Sequence, residues 1–453
     1  MQRICEWSLI LIRINIMKFY DREAELEVLH SIELQSHNSA TFTVLMGRRR
    51  VGKTSLIMRA MQDVESAYLF VSKDSEAFLC QKFQRAIEEQ LHIQVYGTLT
   101  HFRDLFEVIM RESVSRHFTL IIDEFQNLYK VNPAIFSEIQ DIWDRYHTQA
   151  HINFIASGSI LSLMKRIFEN ENEPLYGRPT SKMTLRPFSI ETFKQIFRDH
   201  CPNYKNEDLL CLYMLTGGVA KYVELLMDAG CYTKEKMLNY VCRMDSYFLS
   251  EGRDLINNEF GSDYNTYYSI LQLIASGLNH RSDIDGALQK DSGVYLLNLE
   301  NNFGMASRIR PILASPNSKI SSYEITDPFL RFWFRFICPY QALIESGQLR
   351  LLRENINAHY EQFTGRTLER YFQTQLMETG NYSQVGNWWD KQGGNEIDVV
   401  ALDEFSHTGL IAEVKRNERK LSLPKLEEKV AHLPAGSFGK YHFELKGLSI
   451  KDM

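Results

Sequence analysis

Gly47-Arg48-Arg49-Arg50-Val51-Gly52-Lys53-Thr54 satisfies every fixed position of the phosphate-binding pattern G-x-x-x-x-G-K-[ST]. The residues before it, Thr41 to Met46 (TFTVLM), read as a buried strand, and those after it, Ser55 to Asp63, as the start of a helix. The two glycines let backbone N–H groups turn inward around an anion, and the helix N-terminus adds a favourable dipole. The expected nucleotide contacts are therefore Gly47, Arg50, Val51, Gly52, Lys53, Thr54 and Ser55. Among them Lys53 supplies a point charge for the β/γ-phosphates and Thr54 a hydroxyl for Mg²⁺.

A second stretch completes the chemistry. Thr119 to Phe125 (TLIIDEF) is a short apolar run ending in two carboxylates, as a buried parallel strand with acids at its C-terminal end reads. Ligands bind outside the carboxyl ends of such strands. Asp123 is expected to hold Mg²⁺, directly or through water, and Glu124 to orient and deprotonate the attacking water. The expected cofactors are ATP and Mg²⁺, and the expected reaction is ATP hydrolysis.

The 453-residue chain is too long for a single core, so several domains are expected. Its 44% hydrophobic and 24% charged residues describe an ordinary globular protein. A net charge of −6 gives no global basic signature, so any nucleic-acid contact has to come from a local patch. Seven scattered cysteines without a C-x-x-C argue against a zinc ribbon or a disulfide framework and point to a reducing cytoplasm. Trp7 to Ile16 is apolar but short and carries Arg13, so no membrane association is expected. Met17 opens a natural-looking start, which makes residues 1–16 an expected N-terminal extension, with a short strand or helix as the alternative.

Residues 17–188 alternate strand and helix signals: strands at 41–46, 67–72, 118–122 and 152–156, helices at 21–35, 53–64, 76–91, 102–116, 134–147 and 159–168. Such alternation predicts an α/β domain, a parallel sheet covered by helices. Ser157-Gly158-Ser159 ends the last of these strands, either sensing the γ-phosphate or forming a tight turn. Residues 169–182 read as a polar loop. Residues 189–250 read as a helical lid, opened by the capping serine Ser189 and broken at Thr216-Gly217-Gly218. Residues 251–338 predict helices at 264–275, 281–288 and 292–301 and strands at 308–313 and 321–326, a winged-helix order. The third of those helices, the one such a module offers to DNA, has no Arg or Lys; basic residues flank it at Arg281, Lys290, Arg308 and Arg310. Phe329, Phe332, Trp333 and Phe336 follow at helical spacing and predict a buried face.

Residues 339–453 carry a second constellation. A helix beginning at Gly365 and two strands, 395–402 and 410–415, place Asp398 near Glu413 and Lys415, which share one strand face. Two carboxylates and a lysine that converge can bind Mg²⁺ and activate water for phosphodiester cleavage, with Glu369 adding a third carboxylate. The pattern resembles the PD-(D/E)xK restriction-endonuclease-like superfamily, with Asp398 as its first acid and Glu413-x-Lys415 as E-x-K.

The assembled chain resembles the archaeal and bacterial ATPase family related to the AAA+/STAND P-loop proteins. The resemblance rests on Phe19-Tyr20-Asp21-Arg22-Glu23, GRRRVGKT, LIIDEF and Leu175-Tyr176-Gly177-Arg178. Thr216-Gly217-Gly218, ITDPFLRFW (325–333) and EIDVVAL…AEVK complete it. It implies a P-loop ATPase with a helical lid, a winged helix and a C-terminal restriction-endonuclease-like domain. It also implies that Phe19–Glu23 packs near the adenine and that Arg178 senses the γ-phosphate, in cis or from a neighbouring subunit. Val219-Ala220 departs from the family's proline after the glycine pair and puts the lid's contact with nucleotide in doubt. Two outputs follow: a nucleotide-controlled nuclease acting on DNA or RNA, or an ATP-dependent assembly switch whose C-terminal domain binds a protein partner or a second copy of the chain.

Overall fold

The computed structural model of the chain describes residues 17–260, 264–315, 318, 320–391 and 394–453; the expected extension at 1–16 lies outside the described residues. The first sheet comprises β1 (Thr41–Met46), β2 (Ser66–Phe70), β3 (Phe118–Asp123), β4 (Ile152–Gly158) and β5 (Ser181–Thr184). All neighbours are parallel, in the order β2-β3-β4-β1-β5. β1, β3 and β4 are buried along their whole length, because helices cover both faces of the sheet. On β1, Phe42 and Val44 pack with Phe106, Ile109, Ile139 and Trp143 in one layer, while Leu45 packs with Leu29, Leu56 and Ile57 in the other. β4 stands between β1 and β3, so its C-terminal residues lie between the phosphate-loop strand and the strand that carries Asp123.

The alternation expected for this region holds, with two corrections. The 169–182 segment is not all loop: its end enters β5, an edge strand too short and polar to show as an apolar run. The helix expected over 102–116 stops at Glu112, where a turn brings Ser113 to donate its hydroxyl to the Met110 carbonyl.

Beyond the sheet, Ile190–His200, Asn206–Thr216, Ala220–Asp228 and Lys234–Val241 form a helical cluster. Ser189 caps the first of these, accepting from the Thr192 amide as its sequence suggests. Helix Tyr247–Phe260 leads to helices Tyr264–Ser276, Arg281–Leu288 and Gly293–Asn301 and to an antiparallel pair, β6 (Ala306–Ile309) and β7 (Ser322–Ile325). Pro328–Phe332 then continues as a π-helical turn over Trp333–Ile337. Phe329, Phe332, Trp333 and Phe336 are buried, and so is Phe334. The Trp333 indole donates to the Leu249 carbonyl and lies so close to Gly252 that any Cβ there would overlap it.

The C-terminal part is built on one long helix, Leu349–Glu378, which corrects the expected start at Gly365 by more than four turns. Gly365 sits mid-helix with open space beside it, so it marks no boundary. The helix packs on a second sheet, β8 (Gln384–Trp389), β9 (Glu396–Asp403), β10 (Thr408–Lys415) and β11 (His442–Ser449), in the order β11-β10-β9-β8. β9 is antiparallel to both its neighbours, and β11 is parallel to β10.

Gly217 fastens these parts together. It adopts φ +54°, and a Cβ there would lie 2.8 Å from the Pro328 Cδ. Gly230 has a similar φ of +65° with nothing near it. Both substitutions to Ala carry backbone strain, but only Gly217→Ala adds a collision, so it is expected to lose about 1–3 kcal/mol more. A thermal scan of the two variants checks this; equal drops in Tm would show that the Pro328 contact contributes nothing.

Candidate nucleotide site and C-terminal carboxylate cluster

At the phosphate loop, Gly47 leaves β1 so close to Leu185 that a Cβ would lie 2.7 Å from its carbonyl oxygen. Gly52, at φ +102°, turns the chain into helix Lys53–Ala60. Lys53 is buried and donates to the carbonyls of Gly47 (2.8 Å) and Arg48 (3.2 Å). Burial pulls its ammonium down to about 8, partly offset by Glu124 and Asp123. The Thr54 hydroxyl donates to Asp123 Oδ2 at 2.8 Å, and Tyr68 donates to the same oxygen at 2.7 Å. The other carboxylate oxygen of Asp123 accepts from the Glu124 amide at 2.9 Å.

Glu124 has a left-handed backbone, φ +55°, which swings its carboxylate away from β3 toward β4. There Oε2 accepts from the Ser159 hydroxyl at 2.8 Å and from the Gln126 side-chain amide. Gly158 is required beside them, because a Cβ would strike Met164 Sδ and Gln126 Oε1. Of the three small residues ending β4, Ser159 is thus the one in contact with Glu124. Tyr68 and Gln126 escaped the sequence reading. Tyr68 lies on β2, 55 residues before Asp123, and no local pattern marks it.

The loop's arginines reach outward. Arg48 pairs with Asp327 and Arg50 with Glu251, two carboxylates buried in the helical half of the chain. Arg50 also lies over the Tyr247 ring at 4.2 Å, and its carbonyl accepts from the Lys221 amide at 3.2 Å. Glu251 accepts from the Tyr222 hydroxyl, and burial pushes its carboxyl up to about 8 against the pull of Arg48 and Arg49. Ala220, in the position left doubtful by the missing proline, lies 3.8 Å from where a Cβ on Gly52 would stand. Tyr20 and Arg22 of the N-terminal segment bind the start of the helical cluster, at Asp199 and at the Arg186 carbonyl. Arg178 pairs with Asp144 at 3.1 Å and donates to the Tyr176 carbonyl; it makes no hydrogen bond to the phosphate loop.

The second constellation converges as its spacing suggests. Asp398 on β9 and Glu413 on β10 each lie one residue beyond Val399 and Ala412, the last registered partners of the antiparallel pair. Lys415 Nζ lies 3.1 Å from Asp398 Oδ2 and 3.4 Å from Glu413 Oε1. Asp398 Oδ2 also accepts from the Val414 amide, and its own carbonyl accepts from Gln373 on the long helix. Lys429 reaches Glu413 at 3.2 Å. Burial tends to raise Glu413, but Lys415 and Lys429 together hold it below the usual range. Burial and then the charge of Asp398 push Glu369, on the long helix, up to about 7.

Two family models match the chain: an ATPase domain predominantly from Archaea over residues 19–226, and archaeal and bacterial proteins of unknown function over residues 333–429. The uncharacterized protein MJECL04 of Methanocaldococcus jannaschii is 30% identical over 413 residues, covering 89% of this chain and 88% of that protein. Among solved structures, the Walker-type ATPase PABY2304 of Pyrococcus abyssi superimposes with a TM-score of 0.53 at 18% identity, over 70% of this chain and 96% of its own, a likeness of fold. No helix among the described residues is long and apolar enough to cross a membrane.

Glu369 supplies a pH signature. Its native carboxyl holds a proton up to about 7, whereas the unfolded chain releases it near 4.5. The native state therefore binds more protons across that window, and this group lowers stability as pH rises through it. Glu369→Gln is expected to flatten the fall in stability between those pH values. Urea unfolding at several pH values measures it, and an unchanged slope would remove Glu369 from the account.

Proposed function

The chain belongs to the archaeal P-loop ATPase family, and from that premise we propose that it is a Mg²⁺-dependent ATPase whose nucleotide state acts on its C-terminal domain. The observation that carries the proposal is the shared network of Thr54, Asp123 and Glu124 at the mouth of the phosphate loop. Its donor set is oxygen, from the Thr54 hydroxyl and the Asp123 carboxylate, which suits a hard cation such as Mg²⁺. Thr54 and Asp123 would hold the metal, which when bound neutralises charge between the β- and γ-phosphates. Lys53 would exchange its two loop carbonyls for phosphate oxygens. Glu124, fixed by Ser159 and Gln126, would orient water and take its proton. Arg178 would have to leave Asp144 to reach a phosphate, in cis or across a subunit contact.

Lys53→Ala is expected to abolish ATP binding. Glu124→Gln, which keeps shape and hydrogen bonding, is expected to retain binding and lose roughly 10²–10⁴-fold in turnover. Equilibrium binding of a fluorescent ATP analogue and a phosphate-release assay separate the two. Full turnover in Glu124→Gln would assign the water to another group.

For output, the convergence of Asp398, Glu413 and Lys415 beside Glu369 favours a PD-(D/E)xK nuclease acting on DNA or RNA. The three helices and hairpin of 264–325 would serve as its winged helix. Asp398→Ala should then abolish Mg²⁺-dependent cleavage of plasmid and RNA substrates. A specific observation favours a second reading: Lys415 and Lys429 neutralise both acids, so the cluster can also stand as a structural ion network. In that reading the C-terminal domain binds a partner, wild-type protein cleaves nothing with Mg²⁺ or Mn²⁺, and nucleotide changes only its assembly state in sedimentation.

A further inference from the structure

Between the 264–325 module and the long helix lies a cavity of about 320 Å³. Its polar wall is formed by Arg331, Arg335, Arg366, His359, Gln362 and Glu324. The lone acid in this set is already engaged: Glu324 pairs with Arg370, which also donates to the Ile325 carbonyl, and it lies only 3.7 Å from Arg366. Arg366 spreads its charge thinly over Glu324, Glu369 and Glu396, at 3.7–3.9 Å. Arg331 has less still. Among the described residues its guanidinium makes no hydrogen bond or ion pair, and it faces the Phe363 ring at 5.7 Å. Arg335 likewise has only the ring of its neighbour Phe336. Burial, and then the like charge of Arg366, draw Arg331 down to about 10.

Arg331 is half-buried without a hydrogen-bond acceptor among the described residues, and the like charge of Arg366 opposes it while only the more distant Glu369 attracts it. Planar five-donor groups at the wall of a space this size match the oxygens of a phosphate group, which can accept in bidentate fashion from more than one of them. We infer that this cavity is a phosphate-binding site, built by the helix that follows β7 and the long C-terminal helix, and separate from the phosphate loop. The phosphate belongs either to a nucleic-acid strand passing toward the Glu369–Asp398 face or to a free small phosphate. Arg366 links the cavity to that face, since it touches both the cavity and Glu369. The inference does not need the carboxylate cluster to cleave anything.

The test uses the full chain carrying Lys53→Ala, so that the phosphate loop does not contribute. The probes are a fluorescein-labelled single-stranded oligonucleotide, read by anisotropy, and inorganic pyrophosphate, read by calorimetry. Arg335→Gln and Arg366→Gln are expected to weaken the bound probe about tenfold or more, as loss of a charge-assisted hydrogen bond does. Arg350→Gln, exposed at the start of the same long helix and paired with Glu354, is expected to change it less than about twofold. Arg331→Gln sits deeper, so its thermal scan accompanies it; Arg335→Lys, which keeps charge but not the planar fork, gives an intermediate loss. Arginine-sensitive binding of the oligonucleotide alone assigns the site to a strand, and of pyrophosphate to a free phosphate. Absence of binding by both probes, or equal affinity in Arg335→Gln, Arg366→Gln and Arg350→Gln, overturns the inference.

Discussion

The pairing of Arg48 with Asp327 and of Arg50 with Glu251 ties the phosphate loop to the rest of the molecule. Loop backbones that face an anion have few side chains with which to hold themselves in place. Here the variable positions of the pattern carry cations whose partners are buried carboxylates, one at the head of Pro328–Phe332 and one in Tyr247–Phe260. A buried carboxylate without its cation would be expensive, so the Arg48–Asp327 pair is not easily released, whereas burial favours the neutral form of Glu251. Asp327 is doubly committed, since its other oxygen caps the helix it precedes by accepting from the Leu330 amide. Thr216-Gly217-Gly218 completes the joint: Gly217 admits Pro328, and the Gly218 carbonyl accepts from the Phe188 amide at the exit of the sheet domain.

That joint brings together segments that lie far apart in the chain. GRRRVGKT, TGG and TDPFLRFW meet at one place, and each supplies what the others lack: cations, room and carboxylate. It also gives the phosphate loop a mechanical connection to the helices that support the C-terminal sheet. Glu259, at the end of the helix that carries Glu251, is raised to about 8 by burial, with Arg48 and Lys53 as its opposing cations. A phosphate at the loop would compete for those same cations. Any bound state that draws Arg48 or Lys53 inward changes the charge balance at Asp327, Glu251 and Glu259 together, and so has differential affinity for two arrangements of the helices.

Legibility in the sequence followed how local each signal was. β1, β3 and β4 were plain because burial on both faces leaves an uninterrupted apolar run, and Asp123 and Glu124 stood out at the end of one. β5 was hidden because an edge strand of alternating exposure inside a polar segment looks like loop. The long helix was cut at Gly365 because a glycine reads as a boundary, although Leu352, Ile356, Tyr360, Leu368 and Phe372 on either side of it bury into one core cluster. The spacing of Asp398 and Glu413 was readable, since a hairpin fixes which residues face one another. Tyr68, Gln126, Asp327 and Glu251 were not, because their roles depend on partners brought together only by the sheet order and by the joint at Gly217.

The lysines of the second cluster bear on how the two ends of the molecule can be related. Lys415 between Asp398 and Glu413 does for those acids what a divalent cation would do, and it holds them at a separation that either state tolerates. Lys429 adds a second cation to Glu413, while burial and then the charge of Asp398 hold the Glu369 carboxyl up near 7. Catalysis by such a cluster would require at least one lysine to yield its place to a metal, whereas a binding role would leave all three pairs closed. Arg366 links this cluster to the arginines around Arg331, since it lies near Glu369 and opposes Arg331. Electrostatically, the C-terminal half therefore presents an anion-attracting wall beside a self-neutralised acidic centre. A phosphate held at the proposed arginine site would therefore meet those arginines before the lysine pairs.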